Sequence, residues 1–182
     1  MTKNLKRSTL LASLLTLLPL GSQAADGEIN ITGKITANTC DITSGTAGKQ
    51  EVKLPTIMAN SLQSAGATAG RTPFTITLAN CTPDSGKVAL YFEPGAGTDM
   101  TTGKLKNTAA SASAAGNVQV ALLNADLSDI ALDQPLGSQN SQWVDITTGS
   151  ADLSYFAEYY TQAGSATAGD VKADTYFTLT YQ

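Results

Sequence analysis

An all-β sandwich is the fold class this sequence predicts, on three observations. Short runs of alternating or β-branched residues recur along it, the stretches between them are rich in small residues, and two cysteines sit in a chain that begins like an exported one. The runs lie at residues 28–35, 51–54, 74–78, 88–92, 118–123, 153–160 and 175–181. Short strands at this spacing suit two packed antiparallel sheets of immunoglobulin type. Between them, NTAASASAAG (107–116) and AGSATAG (163–169) carry side chains too small to bury much surface, and are expected as loops. SLQSAGATAG (61–70) has the Ala content of a short helix, but its two glycines favour a loop with one helical turn.

Residues 1–24 read MTKNLKRSTLLASLLTLLPLGSQA: a basic start, an apolar stretch over 10–20, and the small residues Ser22 and Ala24. That is the secretory signal pattern, with cleavage expected after Ala24. The apolar stretch is interrupted by Pro19 and falls short of the ~20 residues a bilayer-spanning helix needs. Removing Lys3, Lys6 and Arg7 with the signal leaves 8 basic against 15 acidic side chains, a net charge of −7 in place of −4. So acidic a domain lacks the electrostatic footprint for nucleic acid or an anionic membrane. Export to an oxidising compartment makes Cys40 and Cys81 a disulfide, because neither sits in a CxxC or electropositive setting that would favour reactive thiols. Closing a loop of about 40 residues stabilises by on the order of 4 kcal/mol.

The remaining residues exclude most chemistry. The chain has no His, hence no usual general base and no commonest metal ligand, and two Cys cannot build a four-thiolate site. GTDMTTGKL (97–105) has Gly-Lys but Leu where a phosphate-binding loop requires Ser or Thr. Asp126, Asp129 and Asp133 lack the spacing and glycine of a calcium loop and are expected as a solvated loop. Trp143, Tyr91, Tyr155, Tyr159 and Tyr160 offer faces for a sugar, yet four of the five lie in strand-like runs where aromatics serve as packing. No catalytic residue, metal or cofactor is expected.

The two ends hold most of the information. ADGEINITGKI (25–35) places Gly27, Ile29, Ile31, Gly33 and Ile35 on one side and Glu28, Asn30, Thr32 and Lys34 on the other. ADTYFTLTYQ (173–182) places Phe177, Leu179 and Tyr181 on one face and continues its strand pattern to Tyr181. These two segments, with TAGRTPFTITLANC leading into Cys81 and YFAEYYTQAGSATAG (155–169), resemble the fimbrial subunits (pilins) of the chaperone-usher pathway, closest to major shaft subunits.

The resemblance implies an incomplete immunoglobulin-like sandwich lacking its last strand (33–182), with an N-terminal donor-strand extension (25–32). It implies a structural protein, not an enzyme, that polymerises with neighbouring subunits by donor-strand exchange, a form of β-strand addition. The implied partners are also a periplasmic chaperone and an outer-membrane usher, and the implied location is an extracellular fimbrium supporting adhesion. Alternation alone would make 25–31 an ordinary first strand. The resemblance makes it a donated one, with Ile29 and Ile31 as plugs and Gly27 where no side chain fits, and leaves 33–40 to begin the domain's own sandwich. It also puts Phe177, Leu179 and Tyr181 on the groove edge and the Gln182 carboxylate against basic chaperone residues. The reading from another class is a stand-alone secreted carbohydrate-binding or adhesive β-sandwich module.

Overall fold

The structure, a computed structural model, describes residues 29–33, 35, 37–46 and 48–182. The expected signal segment 1–24 and Gly27 lie outside these residues. Two compact units divide the chain, Met1–Ile35 and Thr36–Gln182. In the first, the described residues form no strand or helix, and Ile29, Ile31 and Ile35 are 88%, 90% and 101% exposed. A strand exists only where a neighbour completes its ladder, so alternation over 28–35 yields none among the described residues.

The second unit is an all-β sandwich. Its strands are β1 (Thr39–Ile42), β2 (Thr68–Thr82), β3 (Gly86–Glu93), β4 (Thr98–Asp99), β5 (Lys104–Lys106), β6 (Gln119–Asn124), β7 (Val144–Ile146), β8 (Ala151–Tyr160) and β9 (Tyr176–Tyr181). One sheet runs β1-β2-β8-β6-β5-β4 and the other β7-β3-β9, with every pairing antiparallel. A single 3₁₀ turn at Ala59–Leu62 supplies the helical turn, slightly earlier than expected, and β2 opens inside the stretch expected as loop.

The central pair, β2 and β8, sets the register of the core. Phe74 lies opposite Tyr155, Ile76 opposite Leu153 and Leu78 opposite Ala151, so one face of both strands is apolar. Against that face pack Val88, Leu90 and Phe92 of β3, and Ile76, Leu78, Val88, Leu90 and Leu153 are all but inaccessible to water. Burying each such side chain is worth about 1.5–3 kcal/mol. Tyr155 ties the layers, meeting Phe92 edge-on at 5.5 Å and Phe74 at 5.7 Å between ring centroids. Where the ladder to β7 ends, the buried Gln139 side chain serves as a strand mate to β3: its amide accepts from Phe92 N–H at 3.0 Å and donates to Phe92 C=O at 2.6 Å.

Gly70 shows why a residue without Cβ is needed within β2. It sits at a bulge with φ +69°, and a Cβ there would lie 2.9 Å from the Tyr159 ring. Residues 51–54, expected as a strand, form none, for a reason that belongs to the functional site. Cys40 and Cys81 are bonded, joining β1 to the end of β2 across 41 residues of sequence. Because β1 is four residues at a sheet edge, this bond adds a covalent anchor to its short ladder with β2.

Cys40→Ser is expected to lower the stability of the chain by about 2–5 kcal/mol. Urea unfolding of the oxidised wild type against the variant checks it; an unchanged midpoint would show that the bond does not stabilise the fold.

Candidate functional site

Between residues 48–54 and residues 171–177 the sandwich is open, leaving a groove of about 920 Å³. Its floor is core: Phe74 and Ile76 from β2, Leu90 and Phe92 from β3, Leu105 from β5, and Val120 and Leu122 from β6. The volume suits a small apolar ligand. The walls point to something else.

One wall is β9 and the segment leading into it. Gln182 and Lys87 exchange both backbone hydrogen bonds, at 3.0 and 3.2 Å. Counting along the antiparallel register, Thr180, Thr178 and Tyr176 also direct their backbone groups to β3, opposite Ala89, Tyr91 and Glu93. Phe177, Leu179 and Tyr181 therefore turn their N–H and C=O groups away from β3, toward the edge where β9 has no partner strand among the described residues. Their side chains, by the same alternation, face the core and are half-buried.

The opposite wall is residues 50–57. Its burial alternates over 50–54, with Val52 and Leu54 turned toward the main core, and Ile57, beyond the break at 55–56, packs in a second cluster with Leu62. No backbone–backbone hydrogen bond joins these residues to any other described residue. The pattern of a strand is present over 50–54, and no strand pairs with it among the described residues. Two unpaired edges thus flank one apolar floor. Upstream of β9 the wall is fixed in place by Asn107, whose side chain donates to the carbonyls of Asp170 at 2.8 Å and Ala115 at 3.0 Å and accepts from Lys172 N–H at 3.0 Å.

The sequence-predicted residues fall as follows. Phe177 lines the groove, while Leu179 and Tyr181 pack against the main core farther along the same strand. Burial pushes the Tyr181 phenol above its ordinary range, opposed by the nearby backbone of Cys40, so the end of β9 rests against β1. Gln182 belongs to the β9–β3 ladder through its backbone. Ile29 and Ile31 present exposed apolar side chains, and Ile35, in the same alternation, joins them. Of the wall at 50–57, only residues 51–54 were visible in the sequence, as a strand.

The other candidates resolve into structural roles. Asp129 pairs with the buried Lys104, Asp126 accepts from Ser128 N–H and from Gln142, and Gln134 donates to Asp133. Trp143 is 43% exposed, whereas Tyr155 is buried core.

Comparison with known proteins agrees with this geometry. The family described as Type-1 fimbrial protein, A matches residues 54–182. The major fimbrial subunit SMF-1 of Stenotrophomonas maltophilia is 48% identical over 172 residues, covering 92% of this chain and 99% of its own length. The F17 fimbrial protein of Escherichia coli is 46% identical over 164 residues, covering 87% and 89%. Among solved structures, an antigen and type I fimbria protein of Burkholderia pseudomallei is similar with a TM-score of 0.55 at 27% identity, over 78% of this chain and 88% of that one. The P pilus rod subunit PapA shares the fold, with a TM-score of 0.58 at 22% identity over 79% and 99%.

Burial also raises the phenol of Tyr155 above its ordinary value of 10.0. Unfolded tyrosines ionise near that pH while Tyr155 and Tyr181 resist, so their contribution to stability is complete below pH 10 and is lost as pH rises through their folded values. Thermal unfolding across that range is expected to show a midpoint that falls above about pH 10. Tyr155→Phe with Tyr181→Phe should flatten the fall, and an undiminished fall in that variant would place the alkaline sensitivity elsewhere.

Proposed function

This chain belongs to the type-1 fimbrial protein family, and on that premise we propose that its groove receives a β-strand donated by a second copy, residues 25–35 of a neighbouring subunit. As a member of that family it is a structural subunit of fimbriae and not an enzyme, exported and assembled with other subunits into fibres on the cell surface.

The observation that supports strand donation is the pair of bare edges. A small molecule would fill the apolar floor but leave the backbone groups of Phe177, Leu179, Tyr181 and residues 50–57 unpaired. An extended peptide satisfies both at once: its backbone completes the ladders and alternate side chains enter the floor. Ile29 and Ile31 are the plugs, each worth about 1.5–3 kcal/mol on full burial, and Gly27 leaves space where a side chain would not fit. The exposure of Ile35, with the compact unit starting at Thr36, supports a donated segment longer than 25–32, with Gly33 and Ile35 as two further inward positions.

Until a neighbour arrives, an open apolar slot with bare edges invites aggregation. A periplasmic chaperone lending a strand would cover it, running along Phe177, Leu179 and Tyr181 and holding the Gln182 carboxylate with a basic side chain. At an outer-membrane usher the neighbour's strand would then replace the chaperone's. The finished fibre supports adhesion.

Ile31→Asp and Ile35→Asp are each expected to block assembly, since an ionised carboxylate in an apolar slot carries a desolvation penalty of several kcal/mol. Sheared surface material run in detergent without boiling should show a ladder of subunit multiples for wild type and monomer for either variant. A normal ladder from Ile35→Asp would return that residue to the domain's own start; a normal ladder from both would sink strand donation by this segment.

A further inference from the structure

The basic side chains of the domain are unevenly employed. Among the described residues, Arg71, Lys87 and Lys104 are paired with Glu158, Asp145 and Asp129, and Lys106 donates to the Ala96 carbonyl. The other three, Lys49, Lys53 and Lys172, make no ion pair or side-chain hydrogen bond with a described residue. All three are exposed and all three line the groove. Asp174 is the one acid lining it, so the rim carries a net +2 in a set of described residues with 13 acidic and 7 basic side chains. A positive rim on a negative domain focuses field at the slot.

The segment proposed to enter that slot carries the opposite charge at its head. Asp26 and Glu28 are the two acidic residues of positions 1–35, and they alternate with Gly27, Ile29 and Ile31. When the plugs face the floor, both carboxylates face outward along the rim. Lys34 lies at the other end of the segment.

Resting on the strand-donation reading, we propose that Lys49, Lys53 and Lys172 form an electrostatic guide that draws Asp26 and Glu28 of a second copy onto the groove before its isoleucines seat. The charges act on encounter, where steering raises association rates and salt suppresses it. Seating is apolar and is little affected by salt.

The test is the rate at which the full mature chain, refolded with its disulfide formed, builds detergent-resistant, boiling-sensitive multimers at about 20 mM and about 500 mM sodium chloride. The wild-type rate should fall about tenfold at the higher salt. Lys49→Gln, Lys53→Gln and Lys172→Gln combined, and separately Asp26→Asn with Glu28→Gln, should each be slow at low salt and insensitive to it. The second variant lies outside the compact unit Thr36–Gln182 and carries the test if the first fails to fold. Replacing the three lysines by Glu while Asp26 and Glu28 become Lys should restore the rate, which a merely structural role for these lysines would not do. Multimers that form equally fast at both salts and in both neutral variants overturn the guide and leave strand donation standing. A chain that melts cooperatively yet forms no multimers under any condition overturns both.

Discussion

A backbone N–H or C=O withdrawn from water must find a partner, and β9 meets that requirement on one side alone. Phe177, Leu179 and Tyr181 direct their backbone groups to the open edge while their side chains contribute to the core, so this strand is half of a sheet position that the domain does not fill itself. The slot follows from that. Residues 50–57 lie across from it with no backbone hydrogen bond to another described residue, and the floor between them is the sandwich interior. The proposed donated strand would pair both edges and cover the floor at once.

Holding such a gap in shape takes rigidity around it. The long β2–β8 ladder stiffens one sheet, where Phe74 packs on Tyr155, and the edge-on contact of Tyr155 with Phe92 of β3 crosses to the other sheet beneath the floor. Gln139 closes the far edge of β3 with a side-chain amide, and Asn107 pins the approach to β9. These are buried or half-buried polar groups whose hydrogen bonds run to backbone, the arrangement that specifies one geometry instead of a loose collapse. The floor of the slot and its β9 wall are thus properties of the frame.

What the sequence revealed depended on how far each element carries its own signal. The runs within β2, β3, β6, β8 and β9 are long enough to be legible as alternating or β-branched, and the pairing of Cys40 with Cys81 was legible from two cysteines in a chain that begins like an exported one. The two- and three-residue strands β4, β5 and β7 are too short for any period, and their pairing is imposed by neighbours. Residues 51–54 carry the alternation of a strand but form none, because a strand is defined by a ladder and no backbone hydrogen bond joins them to another described residue. The open groove required the resemblance to known subunits. The lysines at its rim had no sequence signal, since Lys49 and Lys53 meet Lys172 only through the fold.

The Cys40–Cys81 bond takes on a different meaning in a fibre that is pulled. If load enters each subunit through its N-terminal extension, it reaches β1, four residues long, within a few positions of residue 35. Hydrogen bonds alone would let such a short edge strand unzip, one rung at a time. A covalent staple one residue into β1 diverts the pull into β2, whose nine paired positions with β8 lie deep in the sheet. The subunit then behaves as a tensile link, and yielding is transferred to the joints between subunits.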